Sequence, residues 1–289
     1  MPRPVEVRLT AADTLLFSSP LVAVGEFVCR PEHPEFAESG PVGGNLVVFA
    51  RRDVEIEHQS GRFVNSSNVA SYYRKGTTFR RSAVDPAGVH SSWFALAPDV
   101  LQELTDNLPT SGRRLIGPRT YLRHAVLIER LRRAKMEALG VEETALDLAR
   151  AVLTGGEEWT VRTRRTKMHE LIEETKAILG HRLDRSSSLS AIAGTVGVSP
   201  FHLSRAFRRH AGLGLHEYRQ QLRLRRSLEL LRKPKLDLLE IALSLGYNSH
   251  SHFTSKFRRA FGITPSQYRS GIALDVQSAW SDAARASVR

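Results

Sequence analysis

Cysteine is almost absent. Cys29 is the only one in 289 residues, so the chain can close no internal disulfide and suits a reducing compartment. Long apolar runs are missing too: none approaches the ~20 residues that cross a bilayer, and nothing near Met1 reads as a secretory leader. A cytoplasmic protein with no membrane partner is expected. The third scarcity is local. Lys and Arg number 42 against 30 Asp and Glu, a formal charge of +12, yet residues 1–160 carry 19 basic and 20 acidic side chains while residues 161–289 carry 23 and 10. The whole excess lies in the C-terminal part, where a positive field attracts a phosphate backbone and makes binding salt-dependent. At 289 residues, two domains with separate cores are expected.

What is present twice says more. Ile192-Ala193, Gly197-Val198, Leu203, Phe207-Arg208-Arg209, Gly212 and Tyr218-Arg219 recur as Ile241-Ala242, Gly246-Tyr247, Phe253, Phe257-Arg258-Arg259, Gly262 and Tyr268-Arg269. The offset is 49 residues up to the glycine turn and 50 beyond it, so one residue is inserted between turn and second helix. Each copy reads as a helix-turn-helix. Ser188 caps a helix whose Leu189, Ile192, Ala193 and Val196 share one face; Gly197 reverses the chain; Ser199-Pro200 starts a second helix anchored by Leu203 and Phe207. In the second copy Asp237 and Glu240 make a capping-box pair, Gly246 and Tyr247 take the turn, Asn248 or Ser249 caps, and Phe253 and Phe257 anchor. Thr264-Pro265 opens a closing helix. Between the copies, Glu217 to Arg232 mixes leucines with arginines and reads as one continuous linking helix.

These residues, with the run from Gly246 to Arg269 as the most diagnostic, resemble the AraC/XylS family of bacterial transcription regulators, over roughly residues 167–271. The resemblance implies a seven-helix DNA-binding domain that sets the second helix of each unit into successive major grooves of double-stranded DNA. It also implies RNA polymerase as a second partner and a homodimer associated with the nucleoid. Two departures stand out: Gly214-Leu215 replaces the cap-and-proline start seen at Thr264-Pro265, and Ser227 stands where the family has a small apolar residue. Methyl-accepting DNA-repair relatives need several cysteines on zinc, which this chain lacks.

The outward residues divide by role. Arg205 and, as the family resemblance implies, Phe201 and Ser204 in the first recognition helix, with His250, Ser251, Thr254 and Ser255 at the corresponding places in the second, are expected to face base edges, Arg205 being suited to a bidentate contact with guanine. Arg208, Arg209, Lys256, Arg258 and Arg259 are expected on phosphates. With no arginine among its base-facing residues, the second unit should read sequence more permissively.

From about Leu15 to Leu104, short β-like runs such as Gly25 to Cys29, Asn45 to Ala50, Val54 to His58 and Trp93 to Leu96 alternate with turn residues, which suggests a small barrel or sandwich. Phe27 to Phe36, Asn45 to His58, Asn68 to Arg81 and Ser91 to Leu96 resemble the degenerate cupin-like sensors that precede this DNA-binding module. Tyr72, Tyr73, Phe79, Trp93 and Phe94 are candidates to line an effector pocket or to fill a core. The competing reading is a metal-dependent cupin enzyme fused to DNA-binding helices. Such sites need histidines one residue apart on a strand, and the pair so spaced is His250 and His252 in a recognition helix. Cys29, His33, His58 and His90 are the remaining candidates for a metal; Cys29 as a nucleophile lacks a strand-to-helix elbow.

Residues Tyr121 to Leu153 read as helices divided at Gly140, serving either dimerisation or cover for the sensor. The expected fold class is α+β: a β-rich cupin-like sensor at 1–105, a helical segment at 106–159, a linker at 160–166, an all-α tandem helix-turn-helix domain at 167–271 with its units at 189–210 and 238–261, and a tail at 272–289. The function expected is a sequence-specific regulator controlled by a small-molecule effector or a partner, not an enzyme, with no cofactor. An architectural DNA binder without sequence preference is the other alternative.

Overall fold

Strand period sets successive side chains on opposite faces, and here both faces are apolar: Val22 and Val24 alternate with Ala23, Phe94 and Leu96 with Trp93 and Ala95, Tyr72 with Tyr73. Such a sheet must be covered twice. The computed structural model describes residues 4–58, 61–105, 108–155, 166–181, 183–184 and 187–271. Strands β1 (Asp13–Ser18), β2 (Val22–Cys29), β3 (Asn45–Ala50), β4 (Val54–His58), β5 (Gly61–Asn65), β6 (Val69–Tyr73), β7 (Arg80–Ala83), β8 (Val89–Leu96) and β9 (Ser111–Leu115) form two antiparallel sheets. The larger runs β1-β2-β8-β3-β6-β9 and the smaller β5-β4-β7. Ala23, Phe27, Tyr73, Trp93 and Ala95 of the large sheet meet Val54, Ile56 and Phe63 of the small one in one core. Gly25 lies opposite Trp93, and a Cβ there would sit 2.2 Å from the indole, so glycine makes room for the ring.

The other face is covered by helices. After α1 (Pro98–Leu104) come α2 (Pro118–Arg132) and α3 (Ala138–Leu153), whose Leu122, Val126, Leu127, Leu148 and Val152 pack with Val22, Val24, Phe49, Tyr72 and Phe94. His124 is wholly buried, stacked on Phe49 at 4.3 Å, and burial holds its pKa well below the usual range, so the ring is neutral. Two expectations need correction. The break between these helices falls at 133–137, where Ala134 has φ +50°, while Gly140 lies inside α3. The segment expected to be wholly helical also supplies β9, an edge strand whose Arg113 and Arg114 are buried; its polar sequence gave no strand alternation. The pair α2 and α3 covers the sheet, and α2 buries every position from Tyr121 to Glu129 except Arg123.

The C-terminal part is all α: α4 (Lys167–His181), α5 (Leu189–Thr195), α6 (Pro200–Ala211), α7 (Leu215–Leu230), α8 (Leu238–Ser244), α9 (His250–Phe261) and α10 (Pro265–Arg269). The expected linker at 160–166 lies outside the described residues except for Thr166, and the expected tail lies wholly outside them. The chain thus has a β-rich N-terminal part followed by helices, as its sequence pattern predicts.

Helix α7 seats the two parts on each other. Arg225, 1% exposed, reaches from it to the loop before β6 and to the end of β9: Nη1 donates to Ser67 O at 2.7 Å and to Asn68 Oδ1, and Nη2 to Ile116 O at 2.6 Å and Gln221 Oε1 at 3.0 Å. Burial pulls its pKa down to about 10, so it stays charged at neutral pH. Beside it Tyr218 Oη and Ser66 Oγ are 2.8 Å apart, and Asn68 Nδ2 donates to Tyr218 O at 3.1 Å. Further along, Arg51 bridges Glu229 of α7 at 3.1 Å and Glu26 of β2 at 3.2 Å. Burial works to raise the Glu26 pKa, but the His90 hydrogen bond and the charges of Arg132 and Arg51 outweigh it and hold the carboxyl at about 2. On α4, Glu173 accepts from Val64 N at 2.7 Å, Arg113 Nη2 at 3.0 Å and Lys176 Nζ at 2.8 Å.

One buried group at this seam is poorly satisfied. Asp53 lines a cavity of about 170 Å³ with Ser67, Gly180, His181 and Leu222, and its Oδ2 has no hydrogen-bond partner. Burial, reinforced by Asp85, raises its pKa to about 7. The folded protein therefore holds a proton there that the unfolded chain releases near pH ~4, and stability contributed by that proton falls as pH rises from ~4 to ~7. Asp53→Asn should raise the melting temperature relative to the parent at pH 8 and leave it nearly unchanged at pH 4, as read by thermal denaturation across that range. Arg225→Met, which strands three buried acceptors, should cost about 3 kcal/mol or more in urea unfolding, and Arg225→Lys should not restore it because one ammonium cannot span both sides of the fork.

Candidate nucleic-acid interface

Two helices are set up for display by matching local devices. Ser188 Oγ accepts from Ala191 N at 3.1 Å to start α5; Gly197 turns the chain at φ +72°; Ser199 Oγ accepts from His202 N at 3.2 Å to start α6, with Pro200 in its first turn. In the second unit, the Asp237–Glu240 capping box starts α8, Gly246 turns at φ +72°, and Ser249 Oγ accepts from His252 N at 3.1 Å to start α9. Both recognition helices end on left-handed glycines, Gly212 and Gly262. The inserted residue falls in the turn: Val198 alone separates Gly197 from Ser199, whereas Tyr247 and Asn248 separate Gly246 from Ser249.

Burial follows one pattern in the two. Leu203, Phe207 and Ala211 are buried in α6, as are Phe253, Phe257 and Phe261 in α9, a stripe of four-residue period. The opposite face is open. Phe201 (69% exposed), Arg205, Arg208 and Arg209 are exposed and Ser204 is half-buried; His250, Ser251, Ser255, Arg258 and Arg259 are exposed, while Thr254 and Lys256 are half-buried. In α9 the structure gathers His250, Ser251, Thr254, Ser255, Arg258 and Arg259 along one shallow concavity; Thr264 joins them, and Lys256 does not line it. Thr264 was legible only as a helix cap. In α6 the Arg205 guanidinium lies 5.3 Å from the Phe201 ring centroid, so cation and aromatic face are offered side by side.

Charge separates this face from the rest of the molecule. Arg51, Arg113, Arg132, Arg226 and Arg232 each contact a carboxylate, yet among the described residues Arg205, Arg208, Arg209, Lys256, Arg258 and Arg259 have no ion pair. Six uncompensated cations on two exposed helices form a phosphate-seeking surface. The histidines here act locally: His250 Nε2 lies 3.3 Å from Thr254 Oγ1, and His252 meets the Tyr247 ring edge-on at 5.6 Å.

The other candidates are dispersed. Cys29 is buried in the core between the sheets, His33 accepts from Glu35 N, His58 contacts Ser111 Oγ, and His90 is bonded to Glu26. Of the aromatic residues considered for a pocket, Tyr73, Phe79 and Trp93 line the cavity between the sheets, whereas Tyr72 and Phe94, one position away on β6 and β8, face the helices.

Paired, capped recognition helices on one all-α unit define a tandem helix-turn-helix protein, and residues 192–271 match the helix-turn-helix domain family. The regulatory protein SoxS of Escherichia coli (strain K12) is 33% identical over 100 residues, covering 35% of this chain and 94% of SoxS. The HTH-type transcriptional regulator GlxA of Rhizobium meliloti is 37% identical over 99 residues, 34% of this chain but 29% of GlxA, so the chain spans under a third of that relative. The HTH-type transcriptional activator RhaS of Escherichia fergusonii is 28% identical over 243 residues, 82% of this chain and 80% of its own. The chain belongs to the AraC/XylS family of transcription regulators. No helix among the described residues is long and apolar enough to cross a membrane.

If Ser199 and Ser249 hold the recognition helices as drawn, Ser199→Ala and Ser249→Ala should each cost about 1 kcal/mol, read as a lower urea midpoint, whereas Ser255→Ala on the exposed face should cost almost nothing.

Proposed function

We propose that the protein is a sequence-specific DNA-binding transcription regulator, without catalytic activity of its own, that works as a cytoplasmic, nucleoid-associated homodimer together with RNA polymerase. The observation that carries this reading is the pair of exposed helices, alike in caps and burial, that bear six unpaired cations. Arg205, Phe201 and Ser204 read bases in one groove; His250, Ser251, Thr254 and Ser255 read the next; Arg208, Arg209, Lys256, Arg258 and Arg259 hold phosphates. Helix α7, about 24 Å long, spaces the two units. The N-terminal part, through residue 159, serves as a cupin-like sensor with its helices, joined by the linker to the DNA-binding domain at 167–271. Because α7 is fastened to the N-terminal sheets, a ligand that favours one arrangement of those sheets alters how the two units sit on DNA.

Selection of bound fragments from genomic DNA by the full chain should return one asymmetric motif. Arg205→Ala should lose about 1–3 kcal/mol on that motif and relax one position, while Arg259→Ala should weaken binding to every sequence and lower the salt slope by about one. Recovery of fragments with no common motif, or an equal loss on specific and random DNA for Arg205→Ala, would defeat sequence reading and leave an architectural binder.

A further inference from the structure

The cavity between the two sheets, about 290 Å³, holds a cation whose surroundings leave part of it unpaired. Arg81 of β7 lines it. Its guanidinium lies against two aromatic rings, with Cζ 4.4 Å from the Phe27 centroid and 4.9 Å from that of Phe79. Nη1 donates to the carbonyls of Glu35 at 3.2 Å and Phe36 at 3.1 Å. Nε and Nη2 donate to nothing, and among the described residues the group has no carboxylate partner. Arg225, the buried guanidinium discussed above, spends both Nη atoms on four oxygens; Arg81, half-buried, leaves an edge unused beside open space. Desolvation pulls the Arg81 pKa down, although the charges of Asp13 and Glu35 act against it.

Carboxylates do line the cavity, but each is engaged elsewhere. Asp13 accepts from Thr10 N, Thr10 Oγ1 and Trp93 Nε1, Glu35 from the backbone of Ala11 and Ala12, and Glu38 pairs with Arg80 at 2.8 Å. A second donor is idle: the Tyr73 hydroxyl, on a residue 2% exposed that lines the same cavity, has no hydrogen-bond partner. The remaining walls include Val54, Ile56 and Trp93. Two idle donors, one of them charged, beside aromatic rings and the side chains of Val54 and Ile56 match one acceptor group of negative charge on an apolar body.

We propose that this cavity binds a compact, mainly apolar monocarboxylate, whose carboxylate is held by the free edge of Arg81 and the hydroxyl of Tyr73 and whose body packs among Phe27, Phe79 and Trp93. This gives a chemical class to the effector and, for its regulatory consequence, rests on the reading of the protein as a ligand-controlled regulator. Binding itself is independent of that reading.

The test is calorimetric titration of the full chain with phenylacetate, cyclohexanecarboxylate and hexanoate, with phenylacetamide as the uncharged match. At least one acid should bind, and phenylacetate should bind at least about tenfold tighter than its amide. Arg81→Met should lose about tenfold or more for the acid and little for the amide, and Tyr73→Phe, which keeps the ring, should lose a few-fold. Equal affinity for acid and amide, an Arg81→Met protein that binds acid as the parent does, or rejection of all three acids overturns the proposal. The same samples are assayed on the selected DNA motif. Selective DNA binding without acid binding removes this ligand site alone; acid binding without DNA binding keeps the site and removes the regulator. Retained DNA binding by Arg81→Met shows that the variant is folded.

Discussion

The arrangement of this molecule depends on the burial of α7. A helix whose apolar residues are interleaved with Arg223, Arg225 and Arg226 would ordinarily lie half in water, with its guanidinium groups solvated. Here Arg225 is enclosed, and it remains charged because four oxygen acceptors surround it in a fork that a planar guanidinium can satisfy. Ser67, Asn68 and Ile116 supply three of those acceptors from the N-terminal part. The contact is therefore specific in geometry: displacement of α7 by an ångström or two would leave a buried cation and several buried carbonyls unsatisfied at once.

The two helix-turn-helix units are attached differently. Phe253, Phe257, Phe261, Ile241 and Tyr268 of the second unit belong to the same apolar core as Leu122, Val126 and Leu148 of α2 and α3. The first unit keeps its own core of Ile172, Leu179, Ile192, Leu203, Phe207 and Tyr218 and meets the N-terminal part through polar contacts, chiefly Glu173 with Arg113 and Val64. Apolar contact is non-directional and tolerates small slides, whereas the polar contacts have fixed geometry but exchange readily with water once opened. The exposed face that sets an arginine beside an aromatic ring, Arg205 and Phe201, thus sits on the unit whose attachment is polar. The unit with histidine and hydroxyls is the one built into the common core.

Much of this was legible where a residue type has one physical use. Ser188, Ser199, Asp237 and Thr264 cap the helices their positions predict, and Gly197 and Gly246 take the positive φ that the turn requires. The strands β3 and β4 coincide with the predicted runs because their apolar residues face a core. Elements that draw stability from distant partners were not legible. Strand β9 reads Ser-Gly-Arg-Arg-Leu, and its arginines are buried only because Glu173 and the carbonyl of Val152 come from helices far along the chain. Gly140 stands inside α3 because tertiary packing overrides its low helix propensity, and the real break is set by Ala134. The cations on the reading faces were identifiable by helical spacing alone; that they lack partners is a fact about what the rest of the chain withholds. The idle edge of Arg81 was likewise invisible, since nothing in the sequence separates a paired arginine from an unpaired one.

The cavity and α7 share a strand. Tyr73, at the end of β6, carries its ring into the space between the sheets, and Tyr72 beside it packs with the helices on the other face. At the opposite end, the loop entering β6 presents Ser66, Ser67 and Asn68 to Tyr218 and Arg225. This five-residue strand is bonded to β3 on one side and β9 on the other and is buried on both faces, so its register is fixed. The cavity wall at Tyr73 and the acceptors that hold the charge of Arg225 thus lie within one short stretch of chain. The fork at Arg225 has little tolerance for partial movement, because its hydrogen bonds are buried and their loss is not offset by water. Such a contact is favoured fully seated, with all of its acceptors in place, over any half-open arrangement.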